Sequence, residues 1–164
     1  MLRCVYVDLD RTLRGAAGSL LHDADGAFTL LGARALEACW RADAELVVHA
    51  AGESAECAAL LGLRAWIAGD VLVLDGDEVP ADGLADAVGR HMRARACARD
   101  DAIAVGAEPG LEGVVGTLWL AGGALDDPLL RLELEERPRV RMAEEHGPAA
   151  VYEAVMTTLA EGRG

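Results

Sequence analysis

Two aspartates and a threonine, Asp8, Asp10 and Thr12, follow the first apolar run of the sequence. Residues 2–8 predict a buried strand, and side chains two positions apart on an extended chain point the same way, so both carboxylates can face one site. There, one carboxylate can attack a phosphoryl group while the other protonates the leaving oxygen. Mg²⁺, which prefers carboxylate and water oxygens, would neutralise the charge between the reacting anions. The alternative is a polar turn at the end of a buried strand.

The elements that would position these residues alternate between strands and helices. Apolar runs predict strands at 2–8, 44–50, 102–106 and 116–122, and helical spacing predicts helices at 30–42, 54–63, 81–99 and 147–162. The stretch 65–80 predicts a small β-hairpin of strands 65–68 and 71–75, and 126–142 an irregular, partly helical segment. This alternation is typical of a three-layer α/β/α sandwich with a mainly parallel sheet, in one domain over 1–164. Working residues in such sheets lie at the carboxyl ends of the strands.

The composition restricts the classes of partner. The formal net charge is −13 and all fifteen basic residues are arginines, so nucleic acid and anionic membranes are not expected as partners. An anionic substrate would need a local cation. The apolar run at 1–6 is too short for a signal peptide or a membrane span, which predicts a soluble cytoplasmic protein.

The four cysteines, Cys4, Cys39, Cys57 and Cys97, each lie in an apolar stretch. None belongs to a Cys-x-x-Cys pair or stands near a histidine at the spacing of a metal site. The sequence therefore predicts buried, reduced thiols rather than a zinc site or a disulfide framework.

The stretch VYVDLDRTL at 5–13 resembles the first motif of the haloacid dehalogenase superfamily, an apolar strand followed by Asp-x-Asp-x-Thr. The order of elements agrees over most of the chain, with 14–29 at the place of that fold's squiggle and flap. The resemblance implies a Rossmannoid haloacid dehalogenase-like fold. It also implies that Asp8 is the nucleophile and a Mg²⁺ ligand, that Asp10 is the general acid and base and a Mg²⁺ ligand, and that Thr12 shapes the loop.

The second and third motifs of this chain depart from the family pattern. His49 stands where the family has a Ser or Thr that binds the phosphoryl group, and a histidine can also donate a hydrogen bond. The family's third motif supplies a Lys or Arg, for which Arg93, Arg95 and Arg99 are the candidates; Arg95 is the predicted phosphate ligand. The alternative for these arginines is an exposed basic helix end that complements the helix dipole.

The fourth motif departs most, because Ala107 and Leu111 stand where the family has two acidic residues. Glu108 and Glu112 each follow one position later. A glutamate reaches about one methylene further than an aspartate, so Glu108 and Glu112 are the predicted additional Mg²⁺ ligands. The alternative is that the metal site has been lost.

The resemblance leaves no room for a true cap domain, because only the flap at 14–29 and the hairpin at 65–80 could cover the site. Capless members of the family tend to oligomerise, so that a neighbouring subunit closes each site. The apolar hairpin offers a surface for such a contact. A homodimer or homotetramer is the resulting prediction.

Three functions are compatible with these residues. The first is a Mg²⁺-dependent phosphomonoester hydrolase that works through an aspartyl-phosphate on Asp8, with a small phosphorylated metabolite or a macromolecular phosphate as substrate. The second is a catalytically inactive binding or regulatory protein of the same fold, which His49, Ala107 and Leu111 favour. The third, a response-regulator type of α/β domain, would need a lysine at a late strand end, and the sequence contains no lysine.

Overall fold

The computed structural model describes residues 1–8, 30–49, 71–74, 83–106, 108–121 and 127–162. Several predictions concern residues outside these ranges. They are the roles of Asp10 and Thr12, the flap at 14–29 and the helix at 54–63.

A parallel sheet of six strands runs through the centre of the described structure, in the order β3-β2-β1-β4-β5-β6. The strands are β1 (Cys4–Asp8), β2 (Glu45–His49), β3 (Val71–Leu74), β4 (Ala102–Gly106), β5 (Thr117–Leu120) and β6 (Val140–Met142). Because β1 has a hydrogen-bonded neighbour on each side, it is a central strand. The predicted α/β fold with a parallel sheet is confirmed.

The described residues form four α-helices on the two faces of this sheet: α1 (Leu30–Arg41), α2 (Leu84–Ala94), α3 (Pro128–Glu135) and α4 (Pro148–Glu161). Helices α1 and α4 pack against each other and contribute to one core, whereas α2, α3 and the 3-10 helix Pro109–Gly113 contribute to the other. The result is the predicted three-layer sandwich. Within the described ranges, no helix has both the length and the apolar character needed to cross a membrane.

Strand β1 connects the two cores through the alternation of its side chains. Val5 and Val7 belong to the core beneath α1 and α4, while Cys4 and Tyr6 belong to the core beneath α2. All four are at most 1% exposed. A strand that is apolar on both faces is what a parallel sheet covered by helices requires.

Two strands differ from the prediction. Residues 71–74, predicted as one arm of a hairpin, form the edge strand β3 and pair in parallel with β2. The other arm, at 65–68, lies outside the described residues, so the hairpin itself stays a prediction. Strand β6 was missed because it is only three residues long and Arg141 interrupts its apolar pattern.

Helix α2 ends earlier than predicted, in a turn that uses an alanine where glycine is usual. The N–H of Cys97 donates to the carbonyl of Met92 at 2.9 Å, and the N–H of Ala96 donates to that of Arg93 at 3.1 Å. This is the hydrogen-bond pattern of a Schellman motif, with Ala96 in the left-handed region at a φ of 49°. The turn directs Cys97 back into the core.

We expect Ala96→Gly to raise the free energy of unfolding by about 0.5–1 kcal/mol. Glycine has no Cβ, so it avoids most of the backbone clash that alanine makes in the left-handed conformation. Urea unfolding measures the change. Asp43→Gly is the matched control: Asp43 ends α1 in a similar turn with a φ of 56°, but aspartate tolerates this region better, so its gain should be smaller. A larger gain at Asp43 than at Ala96 would contradict the interpretation.

Candidate active site

Asp8 is the last residue of the central strand and lies at the carboxyl edge of the sheet. Its Cα pairs with that of His49, the last residue of β2. On the other side Val7 pairs with Val105, so that Gly106 ends β4 next to Asp8. The structure thus places the ends of β1, β2 and β4 side by side at this edge of the sheet. The role of His49 as a phosphate ligand stays a prediction.

Gly106 leaves the space that the Asp8 side chain occupies. A Cβ built on Gly106 would lie 2.8 Å from the Cβ of Asp8 and 3.6 Å from its carboxylate Oδ2. The first distance is too short for two carbon atoms, so any other residue at 106 would displace one of the two strand ends. The sequence predicted residue 106 only as the end of a strand, although a glycine at the end of the apolar run AIAVG was the available signal.

Glu108 remains close to this edge, two residues beyond the end of β4. Its side chain caps the 3-10 helix Pro109–Gly113, accepting a hydrogen bond from the N–H of Gly110 at 3.4 Å. A bond of this length is weak. A modest rotation of the Glu108 side chain would therefore release its carboxylate for another ligand.

Glu112, the other predicted metal ligand, is held by two arginines. Its carboxylate accepts a hydrogen bond from Arg137 at 2.7 Å, and its backbone carbonyl accepts one from Arg99 at 2.7 Å. The carboxylates of Glu112 and Glu133 raise the pKa of Arg137. Arg99 comes shortly before the first residue of β4, so Glu112 points towards the amino edge of the sheet. The structure does not bring it to Asp8.

Arg95, the predicted phosphate ligand, also lies at the amino edge. Its Nε is 3.0 Å from Glu45 Oε2, and Glu45 opens β2 opposite Cys4. Asp8 is four residues further along β1, or about 13 Å at the rise of a strand. Arg95 lies here because a helix between two parallel strands returns from the carboxyl edge of the sheet to the amino edge. Arg95 directly follows the last residue of α2 and is therefore far from Asp8.

The arrangement of strands and helices is shared with solved structures that cover nearly all of this chain. A protein from Legionella pneumophila, described as a hydrolase of subfamily III A of the haloacid dehalogenase superfamily, aligns with a TM-score of 0.70 at 16% identity, over 99% of this chain and 84% of its own. The cobalt-bound deoxy-D-mannose-octulosonate 8-phosphate phosphatase of Haemophilus influenzae aligns with a TM-score of 0.69 at 17% identity, over 97% and 88%. This chain has the haloacid dehalogenase-like fold.

A third haloacid dehalogenase-like neighbour was solved with ligands. It is the 3-deoxy-D-manno-octulosonate 8-phosphate phosphatase of Moraxella catarrhalis in complex with magnesium, phosphate and the sugar acid, with a TM-score of 0.67 at 14% identity over 97% of this chain and 86% of its own. No protein-family model matches the sequence, and no curated protein matches it. Similarity at this level of identity shows the fold, while substrate and metal are properties of the neighbours.

We expect Gly106→Ala to destabilise the protein by about 1–3 kcal/mol, as overpacking of a tight site does, and to displace Asp8. Thermal and urea unfolding measure the cost. Gly113→Ala is the matched control, because a Cβ on Gly113 meets nothing within 4 Å and should cost little. Equal stability of the two variants would show that the strand ends adjust freely and that Gly106 does not position Asp8.

Proposed function

We propose that this protein is a Mg²⁺-dependent phosphomonoester hydrolase in which Asp8 is the nucleophile. The observation that carries the proposal is the position of Asp8, at the carboxyl end of the central strand and in the space left by Gly106. In an open α/β sheet this edge is where ligands bind. Phosphatases among the solved structures of the same fold support the same reaction class.

The proposed reaction has two displacements at phosphorus. A carboxylate oxygen of Asp8 forms a bond to phosphorus while the ester oxygen leaves and takes a proton from Asp10. Asp10 then takes a proton from water, whose oxygen attacks the aspartyl-phosphate and releases phosphate and the free Asp8. The products are an alcohol and inorganic phosphate, and both carboxyl groups return to their starting state.

The described residues offer oxygen donors that suit Mg²⁺. Asp8 supplies a carboxylate at the strand end, and Glu108, once released from Gly110, supplies a second near the same edge. Asp10 is the further predicted ligand. When bound, the ion neutralises charge between the carboxylate and the phosphoryl group. Because the protein carries a net charge of −13, an anionic substrate needs this local positive charge.

A small phosphorylated metabolite is the proposed substrate, and a homodimer or homotetramer is the proposed assembly. A subunit contact would close a site for which the sequence predicts no cap domain. The neighbours named as 3-deoxy-D-manno-octulosonate 8-phosphate phosphatases make a sugar-acid phosphate the first metabolite to test. Light scattering over a range of concentrations checks the assembly, and a monomer at every concentration would contradict it.

We expect purified protein to hydrolyse p-nitrophenyl phosphate in the presence of Mg²⁺ and Asp8→Asn to lose at least about 99% of that activity, since the amide is not a nucleophile. Release of p-nitrophenol measures the rate. Asp86→Asn, an exposed change on α2, is the matched control and should keep full activity. Equal rates for Asp8→Asn and wild type would exclude Asp8 as the nucleophile.

The second candidate function is an inactive binding protein of the same fold. It is favoured by the contacts of the two predicted fourth-motif ligands, since Glu112 is paired with Arg137 and Glu108 caps a 3-10 helix. In that case the protein would bind a phosphorylated ligand or partner without turnover.

Calorimetry with Mg²⁺ separates the two candidates. For the hydrolase we expect millimolar or tighter binding that weakens about tenfold in Glu108→Gln, corresponding to the loss of roughly 1.4 kcal/mol from one ligand. Glu112→Gln is the control and should bind Mg²⁺ as the wild type does, because Glu112 is held at Arg137. Absence of any Mg²⁺ binding by folded protein would favour the binding protein.

A further inference from the structure

A second group of metal-ligating side chains lies at the amino edge of the sheet, at the other end of β1 from Asp8. Cys4, Glu45 and His91 each offer one ligand atom, and these three atoms lie within 4.8 Å of one another. Cys4 opens β1, Glu45 opens β2 directly opposite it, and His91 reaches them from α2. The proposed phosphatase reaction uses none of the three.

His91 has a buried nitrogen without a hydrogen-bond partner in the described structure. Its side chain is 9% exposed, and its Nε2 lies 3.6 Å from Glu45 Oε2, beyond hydrogen-bonding distance. A buried polar atom without a partner costs stability unless something binds it. Because this nitrogen points towards the Glu45 carboxylate, a cation between the two groups would satisfy both.

Tyr6 fixes the histidine in the orientation that a metal ligand needs. The Tyr6 hydroxyl and His91 Nδ1 form a hydrogen bond of 2.7 Å. If Nδ1 carries the proton, the Tyr6 hydroxyl accepts this bond. That arrangement leaves the lone pair on Nε2 for a metal. Metal-bound histidines are commonly held in this way through their second nitrogen.

One thiol, one imidazole and one carboxylate are three protein ligands, the number that leaves the fourth position of a tetrahedral Zn²⁺ ion for water. Cys97 lies in the same core, where the turn that ends α2 holds it, but its sulfur does not belong to this group of ligand atoms. Its thiol donates a long hydrogen bond, 3.5 Å, to the carbonyl of Ala98.

The charges of the three ligands also match those of the ion. The Cys4 thiolate and the Glu45 carboxylate would carry two negative charges, equal to the charge of Zn²⁺. Arg95 binds both carboxylate oxygens of Glu45, through Nε at 3.0 Å and Nη2 at 3.1 Å, and its side chain is 53% exposed to solvent. Each carboxylate oxygen has a second lone pair, so Glu45 can keep Arg95 and also bind the metal. Buried charges are tolerated when they are paired in this way.

We propose that Cys4, Glu45 and His91 form a Zn²⁺ site at the amino edge of the sheet. Mixed sulfur and imidazole ligands select Zn²⁺ over Mg²⁺, which prefers oxygen. Tetrahedral ligands of Zn²⁺ lie roughly 3.3–3.8 Å apart, so these three side chains must close by about 1 Å. Loading releases the proton of the Cys4 thiol to solvent. The half-buried Glu45 provides the route by which the ion enters.

A reactive or redox-active thiol is the other chemistry that a buried cysteine could serve, and the environment of Cys4 opposes it. Burial, followed by the neighbouring Cys97 thiol, raises the pKa of Cys4 to about 12. A thiol with such a pKa stays protonated at neutral pH and is a poor nucleophile. A bound metal ion, in contrast, displaces the proton directly.

The test is a cobalt titration of the ion-free Asp8→Asn protein in excess Mg²⁺, so that neither the catalytic activity nor the oxygen site at Asp8 affects the result. We expect one Co²⁺ per chain, with the near-ultraviolet absorption of thiolate-bound cobalt and the visible bands of a tetrahedral site. One equivalent of Zn²⁺ should abolish both. The absence of a thiolate band from folded protein would overturn the proposal.

Matched variants assign the ligands. Cys4→Ser and His91→Gln should lose the thiolate-cobalt absorption or weaken cobalt binding at least about tenfold, and Tyr6→Phe should weaken it by about 10–100-fold. Cys39→Ser is the control, because Cys39 is an equally buried free cysteine in the core on the opposite face of the sheet. A band that survives unchanged in Cys4→Ser, or that disappears in Cys39→Ser, would refute the assignment.

Two further measurements keep the test decisive if a buried variant fails to fold. Glu45→Gln changes a half-buried residue and should weaken cobalt binding while the circular dichroism spectrum stays native. In the wild-type chain, Zn²⁺ should slow alkylation of Cys4 relative to Cys39, with peptide mass spectrometry as the readout. Alkylation of Cys4 at the same rate with and without Zn²⁺ would contradict the site.

Discussion

The rest of the structure depends on the burial of strand β1 on both faces and its pairing on both edges. Val5, Tyr6 and Val7 are fully buried, and β2 and β4 take the backbone hydrogen bonds on either side. Polar chemistry is therefore confined to the two ends of the strand. At the carboxyl end Asp8 emerges where Gly106 leaves space, and at the amino end Cys4 meets side chains from β2 and α2.

The two ends of β1 differ in chemistry in a way that would keep two metal ions apart. The carboxyl edge offers carboxylate oxygens from Asp8 and Glu108, which suit a hard cation such as Mg²⁺. The amino edge offers sulfur and imidazole nitrogen, which suit Zn²⁺. Cys4, Tyr6 and Asp8 are every second residue of β1, so their side chains point to the same face of the strand. Both proposed sites therefore lie on the α2 side of the sheet, about 13 Å apart.

Several strands and helices were predicted well from the sequence, because the local spacing of apolar residues determines them. Strand β4 was predicted with its observed bounds, and helices α1 and α4 to within one residue at each end. The predictions were wrong for side chains whose position depends on the direction in which a helix runs or on an ion pair with a distant residue. Arg95 and Glu112 have suitable chemistry for a phosphate or metal site, but the return path of α2 and the ion pair with Arg137 place them elsewhere. Neither fact is visible in the spacing of residues.

The sequence by itself determined the class of fold, the nucleophile candidate Asp8 and the edge of the sheet where it would lie, because these follow from local hydrophobic pattern and strand order. The tertiary structure alone decided which polar groups meet. Cys4, Glu45 and His91 are separated by up to 87 positions and follow no metal-binding spacing, so the sequence predicted inert thiols. Parallel pairing of β1 with β2 and the packing of α2 bring them together, since long-range contacts depend on topology rather than on neighbours in the chain.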